Sequence, residues 1–429
     1  MQDAAFRAFQ KQFFQALRDR PLDVNQAEDA ALYEPLHQGA SDPVVRLHDT
    51  IDFSVGESVQ LVAGFRGTGK TTEFSRLEKR LWESDHLVVR VDLDHFLDLN
   101  SAVDITDFLL VLSGAIAETL VDERLLGVEQ ARSLDFWDRA KRVFKPVLQG
   151  VDTELDAGPL SLQVGLRVDQ ALRSRVREAL AGQLPRLVHE VRSHHLDVLE
   201  ALRQKWGYDA SLVVIVDSLE HIRGTQANAD EVRRSVQALF FGHAKHLQLP
   251  DTHMVLSVPA FLAMQADNLA ARFVNGAVQS WTSVQVRQRD GTPNPEGVKA
   301  LRRLVERRGD WRQLLPDDAS LERLILGSGG YLRDLLNMLI EAIHQAGNGV
   351  SPDQAERIMA VIRRSYQPLY ADEVGVLEKI ARRRGLQEVT MKDREYLLRF
   401  LDAHLVLCYL DQGFWYDVHP LVRDQVLGS

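Results

Sequence analysis

The chain has 429 residues, more than one ordinary core of ~100 to 200 residues holds, so two to four domains are expected. Hydrophobic residues make up 45% and charged residues 26%, which excludes a fibrous or wholly disordered chain. A net charge of -10 excludes a whole-molecule field that attracts nucleic acid, no run approaches the ~18 apolar residues that span a bilayer, and a lone cysteine, Cys408, excludes an internal disulfide. A cytoplasmic protein with no membrane partner is the expectation.

Residues 1–41 are expected to form an amphipathic helix and a linker, with Phe6, Phe9, Phe13, Phe14 and Leu17 recurring at helical spacing against Arg7, Lys11 and Arg18. Asp42 to Asp52 reads as a loop and a short extended segment, leading to an apolar strand from Ser58 to Ala63. A glycine loop follows, then a helical pattern from Thr72 to Trp82 and a second strand from Leu87 to Leu93. Further strands at Leu212 to Val216 and Met254 to Val258 complete an α/β core over residues 42–290, with a mostly parallel sheet covered by helices. That core carries a helical insertion at about 121–205, in which Leu160, Leu162, Val164 and Leu166 alternate as in a small hairpin. The segment that follows, to Lys205, reads as one long helix or two. A turn cluster from Asp290 to Pro295 opens a helical domain over 291–350, and Ser351-Pro352 opens the last domain, 351–429. There, helices precede apolar runs at Leu405 to Leu410 and Phe414 to Val418, joined by a turn at Asp411 to Gly413, the pattern of a winged helix.

Gly64-Phe65-Arg66-Gly67-Thr68-Gly69-Lys70-Thr71 has the spacing G-x-x-x-x-G-K-[ST] and lies between a strand and a helix. Glycines let the backbone curl so that successive N–H groups point at phosphate oxygens, and the helix beginning near Lys70 turns its positive end to the same point. Residues Gly64 to Thr72 are therefore assigned to ATP, with Lys70 neutralising the β and γ phosphates and Thr71 placing its hydroxyl on Mg²⁺. A second motif, Leu212 to Glu220, is a buried apolar strand ending in carboxylates. Asp217 is the expected Mg²⁺ partner, and Glu220 the residue that orients or deprotonates the attacking water, with Asp92 and Asp94 as competitors for that role.

With these motifs the chain resembles the AAA+ and STAND groups of P-loop ATPases from about Asp42 onward. The resemblance implies that Ser257, in the strand Met254 to Val258, senses the γ phosphate. It likewise implies that Arg333, after Gly329-Gly330-Tyr331-Leu332, reaches the phosphates from the helical lid. Arg272 is the first placement for an arginine finger supplied to a neighbouring subunit, with Arg287 and Arg289 as alternatives. Tyr416 to Asp424 resembles the MHD region of NB-ARC switches, in which His419 falls on the histidine that reads the β phosphate of ADP. Val418 and Pro420 replace that motif's methionine and aspartate.

The first function this implies is an ATP-hydrolysing switch, closed by ADP and opened by ATP exchange, that assembles as a homo-oligomer and works with a separate sensor or effector protein, for example in bacterial antiphage defence. The alternative is a DNA-associated AAA+ ATPase of the initiator or transposition-regulator kind, with the winged helix on duplex. Arg382-Arg383-Arg384 favours it, and the neighbouring Glu373, Glu378, Glu388, Asp393 and Glu395 oppose it. A third reading is a nucleotide-binding scaffold without turnover.

Overall fold

The computed structural model describes residues 4–37, 42–144, 170–180, 182–222, 224–225, 227–263, 266–346 and 353–428. Its chain forms two compact units, one made of Pro43–Gly64 and Leu77–Ser280, the other of Met1–Asp42, Phe65–Arg76 and Trp281–Ser429.

The first unit is built on a five-stranded sheet, β1 (Ser58–Gly64), β2 (His86–Asp92), β3 (Ser211–Asp217), β4 (His253–Val258) and β5 (Ala277–Trp281), in the order β2-β3-β4-β1-β5. β1 pairs with β4, β2 with β3 and β3 with β4, all in parallel. Continuous Val, Leu and Ile runs suit strands covered on both faces, and every residue of β1 and β4 is buried. β5 does not announce itself in the sequence, because only Trp281 of its five residues is fully buried and its apolar residues are interrupted by Gln279 and Ser280. The helix Ile105–Thr119 buries twelve of its residues, an all-round apolar helix packed inside the unit.

The inserted helices Val128–Ser133, Phe136–Phe144, Gln170–Ala179 and Leu184–Trp206 share that core: Phe136, Trp137, Val176, Leu187 and Val198 belong to one buried cluster with β1 to β4. Leu184–Trp206 is a single helix of 23 residues. The hairpin expected over Leu160 to Leu166 lies outside the described residues. Pro43–Asp52 is a helix where an extended segment is expected; Pro43 sits at its start, where a missing N–H costs nothing, and Val44, Leu47, His48 and Ile51 bury one face. No described helix is long and apolar enough to cross a membrane.

In the second unit the helices Pro295–Arg308, Asp318–Gly327, Leu332–Gln345 and Gln354–Arg363 enclose a core that includes Trp311, Leu321, Leu335 and Met338. The N-terminal helix Ala4–Ala16 lays Phe13 and, just beyond it, Leu17 into the same core. The chain ends in two helices, Ala371–Arg383 and Arg394–Asp402, a hairpin of β6 (Val406–Leu410) and β7 (Phe414–Val418), and a last helix, Pro420–Leu427. Helices closed by a two-stranded wing over one buried cluster are a winged-helix arrangement, so the fold is α/β with a parallel sheet, helical insertion, helical lid and winged helix.

Candidate functional site

Along the C-terminal edge of the sheet, β1 ends at Gly64 and runs straight into the glycine loop, β3 ends at Asp217, and Ser257 sits one residue from the end of β4. Strand order reverses across this edge, the place where open parallel sheets bind ligands. Gly67 and Gly69 have φ of +72° and +89°, which favour glycine and let the backbone curl ahead of the helix Lys70–Glu83. Lys70 is buried, and its Nζ donates to the Phe65 carbonyl at 2.7 Å, so the ammonium is held against the loop's own backbone. The Thr68 hydroxyl donates to the same carbonyl at 2.8 Å.

The loop's surroundings within its compact unit come from distant sequence. A Cβ on Gly67 would lie 2.7 Å from the Tyr331 hydroxyl, so the ring of Tyr331 rests directly on the loop. Phe65 packs against the winged-helix cluster. From the other side, the N–H groups of Leu22 and Val24 donate to Thr72 Oγ1 at 2.9 Å and Ser75 Oγ at 3.1 Å, and Tyr33 donates to Glu73 at 2.9 Å. Neither Tyr331 nor this N-terminal strap is marked by any local motif; the Gly329-Gly330 turn that places Tyr331 is the nearest signal.

Asp217 is completely buried. Burial first, then the negative charge of Glu220, pushes its pKa up to about 6, against the pull of Arg90. Its Oδ1 accepts from Ser218 N at 2.8 Å; its buried Oδ2 accepts no hydrogen bond among the described residues and faces the Arg90 guanidinium at 3.6 Å. An under-satisfied hard oxygen, raised in pKa beside a second carboxylate, fits a divalent cation such as Mg²⁺. Ser218 follows with φ +71°, a left-handed turn that starts the short helix Leu219–His221 carrying the buried Glu220. Ser257 Oγ accepts from Leu219 N at 2.9 Å, so the strand serine fixes this turn.

Arg333 donates from Nε to Asp19 at 2.5 Å, which ties the lid helix to the N-terminal segment. Arg272 donates to the Phe241 carbonyl at 2.8 Å and lies over the Phe241 ring. It follows β4 and precedes β5, next to Val274, whose carbonyl takes the Val59 N–H at the start of β1 and so marks the sheet edge opposite Gly64. Arg287 donates to Gly291 O, and the Arg289 carbonyl accepts from Arg384.

His419 is completely buried; Nδ1 accepts from Leu421 N at 3.3 Å, Nε2 faces Asp334 Oδ2 at 3.4 Å, and the ring stacks on Tyr366. Burial lowers its pKa to about 3 and raises that of Asp334 to about 6, although Tyr366 donates to Asp334 at 2.8 Å. The two shifts oppose one another in stability. Asp334 contributes stability that is full below the unfolded carboxyl value near ~3.9 and lost as pH rises through about 6, whereas His419's contribution is full above ~6.5 and lost as pH falls toward 3. Asp334→Asn removes the first and leaves the second. Thermal melts of the variant should therefore gain stability from pH 4 to pH 7 more steeply than wild type, by up to about 2 kcal/mol; equal slopes would remove Asp334 from the account.

No protein-family model and no curated protein matches the chain. Solved structures similar to it include the Aeropyrum pernix ORC2 protein in ADPNP–ADP complexes, at 12% identity and TM-score 0.41, covering 96% of this chain and 95% of that one. Pyrobaculum aerophilum Cdc6p follows at 12% and 0.37, with 93% and 98% covered. Drosophila ORC bound to poly(dA/dT) DNA and Cdc6 gives 13% and 0.31, with 93% and 51% covered. At such identities these are resemblances, and the chemistry of the chain rests on its own residues.

Proposed function

We propose that the chain is an ATPase whose nucleotide state controls the packing of its lid and winged helix on the glycine loop. The observation that carries this reading is that β1 runs without a break into a glycine loop in which Lys70 is buried, while β3 of the same sheet ends at the buried Asp217. Gly64 to Thr72 would take the phosphates of ATP, and Thr71 with Asp217 would hold Mg²⁺. The cation, when bound, supplies charge neutralisation of the phosphates. Glu220 orients and deprotonates water, Ser257 keeps Glu220's turn in register through Leu219 N, and Lys70 leaves the Phe65 carbonyl for the phosphates.

The controlled element is read from contacts that ATP or ADP would have to alter. Tyr331 rests on Gly67 and Phe65 on the winged-helix cluster, so phosphate entry moves or fastens both. Arg333 reaches the phosphates only after leaving Asp19, and His419 with Asp334 latches the lid helix to the last helix. Arg272 would serve a neighbouring copy in an ATP-dependent oligomer, with a separate protein as sensor or effector. Glu220→Gln tests the enzymatic part. It should bind ATP as wild type does while phosphate release falls by about two orders of magnitude, and unchanged turnover would take Glu220 out of the mechanism.

The winged helix favours a second reading, an initiator-type ATPase acting on duplex DNA, since its wing residues Leu410 and Phe414 are exposed. The adjacent basic run is already paired, Arg382 with Glu378 at 2.5 Å and Arg383 with Glu388 at 2.5 Å. ATP-dependent, salt-sensitive retention on duplex decides between the two readings, and its absence even at low salt eliminates the second.

A further inference from the structure

The lid helices and the winged helix enclose a cleft of about 680 Å³, apart from the glycine loop. Its volume is that of a small-ligand site. Five guanidinium groups, Arg287, Arg323, Arg363, Arg384 and Arg423, line it beside four carboxylates, Glu322, Glu356, Asp417 and Asp424, so its walls hold many donors and one more positive than negative side chain. Arg384 and Arg423 both engage Asp417, the former at 3.2 Å, and donate to the Arg289 and Ala381 carbonyls, while Arg363 pairs with Glu356 at 3.2 Å and donates to the Leu421 carbonyl, so these three are held chiefly by the protein and Arg287 and Arg323 face a ligand. The Arg323 guanidinium makes no hydrogen bond or ion pair among the described residues, and its one charged neighbour of note is Asp317. Trp415, 1% exposed, also lines the cleft, and its indole N–H finds no acceptor among the described residues. Burying an indole N–H without an acceptor is unfavourable, and arginine forks match phosphate oxygens in geometry.

We infer that this cleft is a second anion site, which takes a multiply phosphorylated small molecule of about diphosphate size, with Arg287 and Arg323 contacting it from the lid side and the Trp415 indole donating at its floor. The floor is continuous with the loop. Trp415 stacks on Tyr409 at 4.4 Å, and both belong to one buried cluster with Tyr331, the ring that rests on Gly67. A ligand here therefore stiffens the packing that covers the glycine loop without occupying it.

The test uses the full chain carrying Lys70→Ala, so that the glycine loop does not take up the probe, and titrates inorganic pyrophosphate by calorimetry. One-to-one binding is expected. Arg287→Ala with Arg323→Ala should weaken it by roughly 100-fold, about ten-fold for each charge-assisted contact, while the unliganded variant stays folded and its melting temperature falls by no more than the few degrees that losing the Arg287–Gly291 hydrogen bond brings. Arg323→Lys should retain an intermediate affinity, which separates lost phosphate contacts from lost structure. No heat up to millimolar pyrophosphate, or equal binding in the double variant, overturns the site. Duplex DNA that displaces pyrophosphate and binds more tightly would assign these arginines to a phosphodiester backbone and overturn the small-ligand inference.

Discussion

Lys70→Ala is expected to lower ATP turnover by about two to three orders of magnitude, the usual cost of removing one positioned charge from a developing phosphoryl transition state. Lys70 is 3% exposed and its ammonium donates to the Phe65 carbonyl, so the group proposed for the phosphates also braces the loop. Its loss leaves the Phe65 carbonyl with the Thr68 hydroxyl as its remaining side-chain donor, one hydrogen bond fewer, which costs about 1 kcal/mol and a drop of a few degrees in melting temperature. Nucleotide affinity should fall at least ten-fold in the same preparation. A folded variant with wild-type turnover would show that hydrolysis resides elsewhere.

Gly330→Ala should be the most damaging single methyl in the second unit. Gly330 has φ +78°, and a Cβ there would lie 1.8 Å from the Val284 carbonyl oxygen. That segment cannot simply retreat, because Val284 N–H donates to the Gly330 carbonyl at 3.2 Å. A left-handed alanine costs about 1–2 kcal/mol, and displaced backbone adds to it, for a total of about 3 kcal/mol and on the order of 10 °C in melting temperature. Gly428→Ala isolates the first of these costs, since Gly428 has φ +69° with nothing within 4 Å of the added carbon. Similar losses for the two variants would mean that the Val284 contact is relieved at no cost. Because Tyr331 follows directly, Gly330→Ala should also loosen the cover of Gly67 and speed nucleotide exchange.

The parts of the site that the sequence discloses are those whose chemistry is local. The loop Gly64 to Thr71 carries its own spacing, and β1 to β4 are mostly apolar runs, interrupted only by single polar residues such as Gln60 and Arg90, whose C-terminal ends identify Asp217 and Ser257 as edge positions. What stays hidden is pairing at long range. Nothing near Tyr331 says that it rests on Gly67, and nothing near Asp19 says that it holds Arg333. The strap at Leu22 and Val24 is recognised only by its backbone N–H groups, which leave no trace in side-chain pattern. The helix Pro43–Asp52 is obscured for another reason: its polar ends resemble a loop, and only its buried Val44, Leu47 and Ile51 give the period away.

The cover on the glycine loop also imposes an order on synthesis. Tyr331 leaves the ribosome roughly 260 residues after Gly67, an interval of about 13 to 50 s at ~5–20 residues per second. All four strands β1 to β4 are complete by Val258, long before the ring that rests on the loop exists. Phe65 waits longer still, for the winged-helix cluster near the end of the chain. A nascent chain therefore carries four paired strands and a glycine loop whose Phe65 is still uncovered, so the loop acquires its cover only as the last residues are made.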